Sequence, residues 1–276
     1  MDGYSLDSFA QTMSDFPLFV NPDYGNGCLR RRILLTRLDN AVVAEQEDDN
    51  HAFRIHLEHN NDIVTDIKAE TLRIPMSTCN GAADKLKECI GSSVSQNPRS
   101  LGQHHNPKSH CTHLFDLAGL AITHITKKEK QRLFDIAIHD EKDGLMQCSV
   151  ALNQRMIFHW NIRSQLIENE GPWQGVNVQK GFSGWVENNL AGDEAEAALS
   201  LSRAYFISIT RRVLVEKNAG MKIANDLMTK GVCYTYSKPA VDTAYRLHDT
   251  TRDFTDSPDE MLSFSAYMKP ESELQA

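Results

Sequence analysis

The chain has 276 residues, 41% of them hydrophobic and 24% charged, a balance typical of a globular protein with one large or two ordinary domains. Its formal net charge of -8, without a lysine and arginine stripe, excludes nucleic acid as the main partner. No run approaches the ~20 apolar residues that a membrane helix needs, and the first residues lack the zones of a signal peptide. We therefore expect no membrane partner and a cytoplasmic location.

The first half predicts a strand meander followed by helices. Residues 1–29 form an irregular lead-in rich in turn-forming residues. Apolar alternation between turn signals predicts antiparallel strands, which lie at 33–38, 40–47, 53–58 and 63–74. Helical spacing follows over 79–91, then a long polar loop over 92–109 of the kind that forms lids or binding sites. Ser109 or Thr112 can cap the apolar helix after it.

The second half repeats this order. Strand patterns continue after a charged linker, at 133–138, 146–152, 156–162 and 165–168. Helices are predicted over 181–190 and 193–213, with a short third one over 220–229 and a frayed end over 270–276. The sequence thus predicts an α+β fold of two packed halves, 30–126 and 127–276, each an antiparallel sheet with helices.

Reactive side chains are most concentrated between Gly102 and His124, where five of the eleven histidines and one cysteine lie. Imidazole and thiol groups bind metals, move protons near neutral pH and attack carbonyls. Cys111 lies at the predicted helix start, where unpaired amides stabilise a thiolate. His113 and Asp116 share a helix face, so the carboxylate can orient the imidazole. A buried structural cysteine and a structural histidine are equally compatible with this pattern.

A metal site is the alternative interpretation of the same residues. Its ligands would be His110, Cys111 and Cys79, with Zn or Fe as the metal. Other candidates, if the loop folds back, are His104, His105 and His51. The six cysteines form no Cys-x-x-Cys pair, so a zinc ribbon and a thioredoxin motif are both excluded, and free thiols are expected.

Aromatic residues in the second half can contribute a substrate pocket. They are Trp160, Trp173 and Trp185, although such residues more often belong to a core. Arg203 interrupts an apolar helix pattern and either extends to solvent or binds an anionic group.

The first half resembles a bacterial family of unknown function, family 2889. The matching features are the arginine-led strand from Arg31, Cys79 with Ala82-Ala83, and above all Cys111-Thr112-His113-Leu114 opening the helix. They cover roughly residues 30–125, and the second half looks like an extension that some members carry. His110 stands where the family commonly has glycine, and Asp116 where it commonly has glutamate. The resemblance therefore implies a shared sequence signature, but it implies no particular chemistry.

The element order also resembles that of iron–sulfur scaffold proteins. His110-Cys111 stands where that fold places one ligand pair, and His51 lies near another ligand position. Cys79 falls several residues late in its helix, and only acidic and amide residues occur where the first cysteine is expected.

These patterns favour an enzyme that uses Cys/His acid–base chemistry on a small apolar carbonyl or aromatic compound, as a lyase, dehydratase or isomerase. Cys111 and His113 would carry the chemistry, with Asp116 orienting His113, Cys79 opposite and His110 at the rim. No cofactor is required, because no nucleotide motif is present. The alternatives are a metal or iron–sulfur carrier and a non-catalytic ligand-binding or assembly module.

Overall fold

A computed structural model, which describes residues 19–223 and 231–268, folds around an eight-stranded antiparallel sheet. The strands are β1 (Cys28–Arg37), β2 (Ala41–Asp48), β3 (Ala52–His59), β4 (Val64–Arg73), β5 (Gln131–His139), β6 (Leu145–Leu152), β7 (Arg155–Arg163) and β8 (Leu166–Ile167). Their order is β4-β3-β2-β1-β5-β6-β7-β8. Each strand thus pairs with its sequence neighbour, except where β1 pairs with β5 across the intervening helices.

Four α-helices occur in the described part of the chain. They are α1 (Gly81–Lys85), α2 (Thr112–Ile125), α3 (Phe182–Asn189) and α4 (Gly192–Ile207). Short 3-10 turns over Leu86–Cys89, Ser100–Gln103 and Pro107–Ser109 give the polar loop its shape, and another, Ser208–Arg212, extends α4. The predicted helix over 220–229 and the predicted frayed end fall largely outside the described residues, as do the first 18 residues of the lead-in.

The α+β class is confirmed. The two predicted groups of strands do not form two separate packed sheets, however, because β1 and β5 pair from Cys28↔His139 to Thr36↔Gln131 and merge them into one. The proposed boundary at residue 126 therefore separates two halves that share backbone hydrogen bonds at the centre of the sheet. This arrangement puts the residues of both halves within reach of a common site.

The two faces of the sheet are covered differently. Helix α2 packs mainly on β2 and α4 mainly on β6, and together with α3 they bury one face in the main hydrophobic core. The opposite face carries charged residues on β2 and is crossed by the segment 249–268. There Glu47 accepts a hydrogen bond from the backbone of Leu262 at 2.6 Å, and Ser265 donates one to Glu45. The charged side chains of β2 thus stay buried by hydrogen bonding to this segment.

Within the residues described, no helix combines the length and the apolar composition needed to cross a membrane.

Candidate functional site

A buried ionic group lies on the helix-covered face where β1, β2 and α2 meet. Arg31 lies on the same face of β1 as the core residues Leu29 and Ile33, and it is 2% exposed. Asp48 lies opposite it in the β1–β2 register and is fully buried. The Arg31 guanidinium donates to Asp48 Oδ2 at 2.7 Å. Burying a charged group is energetically costly unless the group is paired and hydrogen-bonded, so Arg31 and Asp48 both depend on their partners.

The turn after β2 supplies the remaining partners of Asp48. Its Oδ1 atom accepts from the backbone N–H groups of Asn50 and His51, both at 2.9 Å, and lies 3.0 Å from His51 Nδ1. Burial by itself raises the pKa of Asp48, but His51 and Arg31 outweigh it and hold that pKa well below its usual range. Asp48 is therefore a carboxylate at neutral pH.

His113 completes this group from the first turn of α2. Its Nε2 atom lies 3.8 Å from Asp48 Oδ2, and its ring centroid is 4.0 Å from that of His51. Burial, followed by the charges of His51 and Arg31, lowers the pKa of His113 well below its usual range. The imidazole is thus neutral at pH 7 and can accept a proton.

Cys111 lies on the other side of the His113 ring, with Sγ 4.0 Å from Nδ1. It is the N-cap residue of α2, whereas Ser109, one of the two predicted caps, belongs to the preceding 3-10 turn. The expected stabilisation of a thiolate is not found, because burial raises the pKa of Cys111 far above its ordinary value, with a contribution from Cys79. The resting pair is a neutral thiol beside a neutral imidazole.

Cys79 lies on the Cys111 side, away from the ionic group. Thr235 Oγ1 is 3.3 Å from its Sγ, and burial raises the pKa of Cys79 to about 11. Cys233 also interacts electrostatically with both Cys79 and Cys111, so three thiols lie near one another at the helix start.

A small cavity of about 50 Å³ opens beside His113, between α2 and α4. Its polar lining includes Arg31 and Gln46 from the sheet and Ser200 from α4. At roughly 10–15 Å³ for each water, the space holds a few waters or a compound of a few heavy atoms. Since the cavity touches two members of the ionic group, Arg31 and His113, and ends in solvent, it gives a small ligand access to His113.

Asp116 and Arg203 join the two helices at this cavity. Arg203 Nε contacts Asp116 Oδ2 at 2.6 Å, and both residues line the space. Asp116 was expected to orient His113, but the carboxylate that the structure places against His113 is Asp48. The ion pair thus links α2 to α4 at a point where the side chains are partly exposed.

His110 points away from Cys111 and toward the polar loop. It belongs to a group with Cys89 and His105 in which one potential ligand atom from each residue lies within 4.8 Å of the others. The expected ligand set of His110, Cys111 and Cys79 therefore divides: His110 joins Cys89 and His105, and the two cysteines stay together. His104, adjacent to His105, is not part of the group.

The three tryptophans lie in the core under the second half and do not line the His113 cavity. Trp160 is 1% exposed and stacks on Phe158 at 4.6 Å between ring centroids. Trp173 lies 6.0 Å from Trp160, and Trp185 stacks on Phe182 at 5.9 Å. In this structure the three tryptophans pack in the hydrophobic core.

A larger cavity of about 410 Å³ lies at the beginning of β1, lined in part by Arg30, His139 and Asp140. Asp140 is committed there to structure, since it accepts from the backbone of Gly25 and Gly27 and pairs with Arg211 at 2.7 Å. The His113 cavity is smaller but adjoins the ionic group, and we take it as the candidate site.

Sequence reasoning missed Asp48 and Arg31 and gave His51 only a metal role. A usable signal existed: the period-2 pattern places Arg31 on the same face as Leu29 and Ile33. An arginine on a core face requires a buried partner.

Among residues 19–223 and 231–268, two groups could hold a metal ion, and their surroundings differ. Besides the group of Cys89, His105 and His110, one ligand atom each of Asp48, His51 and His113 lie within 4.8 Å of one another. Arg31 already occupies Asp48 Oδ2, and three donors approach Oδ1. A carboxylate with its lone pairs engaged and a guanidinium beside it is a poor ligand for a cation.

Comparisons with known proteins agree with the family resemblance and add no chemistry to it. Neither a curated protein nor a solved structure matches the chain. A family model does match, and it covers β2 to α2, including Asp48, His51, Cys111 and His113. Over residues 35–127 the chain carries the region described as Protein of unknown function (DUF2889), which confirms the resemblance to that family for this part of the molecule.

Proposed function

We propose that the protein is a cytoplasmic enzyme in which His113 transfers a proton during a lyase, dehydratase or isomerase reaction on a small carbonyl compound. The observation that carries this proposal is the position of His113, which lies between Asp48 and Cys111 and lines a cavity. Buried ionisable groups with shifted pKa values at a cavity are typical of active sites. Six free cysteines support a reducing, cytoplasmic location.

The charges determine which nitrogen of His113 reacts. Because Asp48 is ionised and lies on the Nε2 side, it favours the tautomer with the proton on Nε2. The Nδ1 atom, which carries the free lone pair, then lies on the Cys111 side of the ring and is the proton acceptor. The imidazolium that forms when it takes a proton from the substrate is stabilised by Asp48.

The 3.8 Å separation of His113 Nε2 from Asp48 Oδ2 is longer than a hydrogen bond, as is common before a ligand is bound. Shortening it by roughly 1 Å gives hydrogen-bond geometry. A ligand that enters between α2 and α4 and displaces the Arg203 side chain supplies such a movement.

The cavity selects the substrate class. Its volume admits only a few heavy atoms, and Arg31, Gln46 and Arg203 on its walls favour a polar or anionic group on the compound. Small 2-oxo acids and hydroxy aldehydes have this size and polarity, and removal of a proton beside their carbonyl is the step expected of His113. This substrate is more polar than the apolar compound that the sequence favours.

The proposal is tested by solvent deuterium exchange. A panel of small 2-oxo acids and hydroxy aldehydes is incubated with the protein in D2O, and loss of the proton next to the carbonyl is followed by NMR. We expect exchange with at least one compound, reduced about 100-fold or more in His113→Gln. The matched control is His104→Gln, which alters an exposed histidine of the loop and should retain full exchange.

His113→Gln is preferred over Asp48→Asn because the latter leaves Arg31 buried without its counter-charge and is expected to destabilise the fold by about 3–5 kcal/mol. Exchange that survives in a folded His113→Gln protein, or its absence across the whole panel, would rule out this role for His113. Circular dichroism at the assay temperature establishes that the variant is folded.

A further inference from the structure

A second group of reactive side chains lies where the polar loop meets the end of the Leu86–Cys89 turn and the start of α2. Cys89 is fully buried, His110 is 1% exposed and His105 is half-buried. The potential ligand atoms of the three residues all lie within 4.8 Å of one another. Cys89 comes from the turn before the loop, whereas His105 and His110 lie close together at its end, so the fold brings the thiol to the two imidazoles.

His110 is the unusual member of this group. Neither of its ring nitrogens has a hydrogen-bond partner, although both are buried. A Glu88 carboxylate oxygen lies 3.9 Å from Nε2, beyond hydrogen-bond distance. Leaving a buried polar atom without a partner costs about 1–3 kcal/mol, so two such atoms on one ring are expected to take a partner, either water or an ion.

We propose that Cys89, His105 and His110 bind a zinc ion. One thiolate and two imidazoles are ligands that zinc prefers, and three protein ligands leave a fourth position open in a tetrahedral site. Bond lengths of about 2.0–2.3 Å place tetrahedral ligand atoms roughly 3.3–3.8 Å apart. The observed group meets this requirement after a movement of about 1 Å, which rotation of side chains supplies.

Neighbouring residues fit the same site. Glu88 is placed to fill the fourth position, because its carboxylate lies 3.9 Å from His110. Ser92 Oγ lies 3.3 Å from His105 Nε2 and restrains that ring, as outer partners of zinc-binding histidines do. On binding, the Cys89 thiol loses its proton to solvent, and the zinc–sulfur bond forms.

The ion would connect the loop to the two elements that flank it. Much of the loop is held by backbone contacts, such as those of Gly91 and Val94 with the β4 region, and its buried apolar residue is Leu101. Zinc at this point ties His105 in the loop to Cys89 before it and to His110, which directly precedes Cys111. The proposed role is therefore structural, and it is independent of proton transfer at His113.

The test is the zinc content of the full-length protein, purified without chelators or a metal-affinity tag and measured by mass spectrometry of the elements. We expect about one zinc per chain, in line with one site. His105→Ala is the principal variant because His105 is the most exposed ligand and its loss leaves the core intact. It should weaken zinc binding at least about tenfold, since even the loss of an outer partner has effects of that size.

His104→Ala is the matched control, because it removes the adjacent histidine, which is outside the group. Replacing zinc by Co²⁺ adds a second readout, as a thiolate-to-cobalt absorption band should appear and be absent from Cys89→Ser. The proposal is overturned if the wild-type protein retains no zinc after incubation with zinc and desalting. Equal zinc content in wild type and His105→Ala, or equal loss in His104→Ala, overturns it as well.

Discussion

Gly119 of α2 lies so close to Pro98 in the polar loop that a Cβ atom at position 119 would overlap the Pro98 carbonyl oxygen. The obstacle is backbone, which cannot rotate away as a side chain does. Glycine at this position is what allows the loop to lie against α2.

Gly119→Ala is therefore expected to destabilise the protein by roughly 1–3 kcal/mol, because the loop must move. Gly184→Ala in α3 is the matched control. Nothing lies within 4 Å of a Cβ at that position, and alanine has the higher helix propensity, so it should be neutral or stabilising by up to about 1 kcal/mol. Urea unfolding of both variants measures the contrast, and equal effects would contradict it.

A second prediction concerns the ion pairs that join α4 to β5. Arg132 is 1% exposed and Glu196 fully buried, with 2.7 Å between Nη1 and Oε2. Arg132→Met leaves the buried Glu196 with Lys127, 3.3 Å away, as its remaining ion-pair partner, and should cost about 3 kcal/mol. Changing Glu196 to leucine as well should restore much of that loss, because the buried carboxylate is gone and Lys127 still pairs with Asp193 at 2.9 Å.

Arg163→Met is the control for that experiment. Its pair with Glu168 has the similar distance of 2.8 Å, but both side chains are nearly half exposed. We expect a loss below about 1 kcal/mol. Thermal unfolding would contradict the interpretation if the exposed and buried pairs proved equally important.

The third prediction is a loss of stability in acid caused by His124. Burial lowers the pKa of His124 to about 4, whereas an unfolded chain gives about 6.5. The unfolded state therefore binds a proton first as the pH falls. The contribution of His124 is complete above pH 6.5 and is lost as the pH falls to about 4, a change of roughly 3 kcal/mol.

His124→Gln should reduce the fall in the free energy of unfolding between pH 6.5 and 4, because glutamine does not titrate. Glutamine also keeps a donor for the Lys130 carbonyl, which lies 3.3 Å from Nε2 in the wild type. Urea unfolding at pH 7 and at pH 4.5 measures the difference between the two proteins. If the free energy of unfolding of the variant falls between pH 7 and pH 4.5 as much as that of the wild type, the acid sensitivity belongs to other groups.

A fourth prediction concerns the reactivity of Cys111. Because burial raises its pKa, alkylation by iodoacetamide at pH 7 should be slower than that of free glutathione. A faster reaction would mean that the thiolate forms without a ligand. Peptide mapping by mass spectrometry identifies the labelled position.

Most elements of the fold could be predicted from the sequence, because apolar periodicity and turn residues are local signals. The strand containing Phe53 and Ile55 and the helix after Cys111 both occur where the pattern indicates. The pairing of β1 with β5 could not be obtained in this way, since local periodicity does not identify which strands become neighbours.

For the same reason, the residues of the candidate site could be predicted from the sequence better than their contacts. His113, Asp116 and Arg203 were singled out and do meet at one cavity. Their partners were different from those expected: Asp48 and not Asp116 faces His113, and Cys89 and not Cys111 accompanies His110. Helical spacing relates residues of one helix, whereas these contacts depend on the distance between elements.

The pairing of β1 with β5 joins the region that matches the family model to the rest of the chain within one sheet. The region that matches the family begins inside β1 and stops before β5, so an isolated copy would keep β2 but lose nearly all of its neighbour. Its open strand edge would be available to other chains, and we expect such a fragment to aggregate. During synthesis β1 is present and pairs with β2, but the other edge of β1 stays unpaired until the ribosome has released β5.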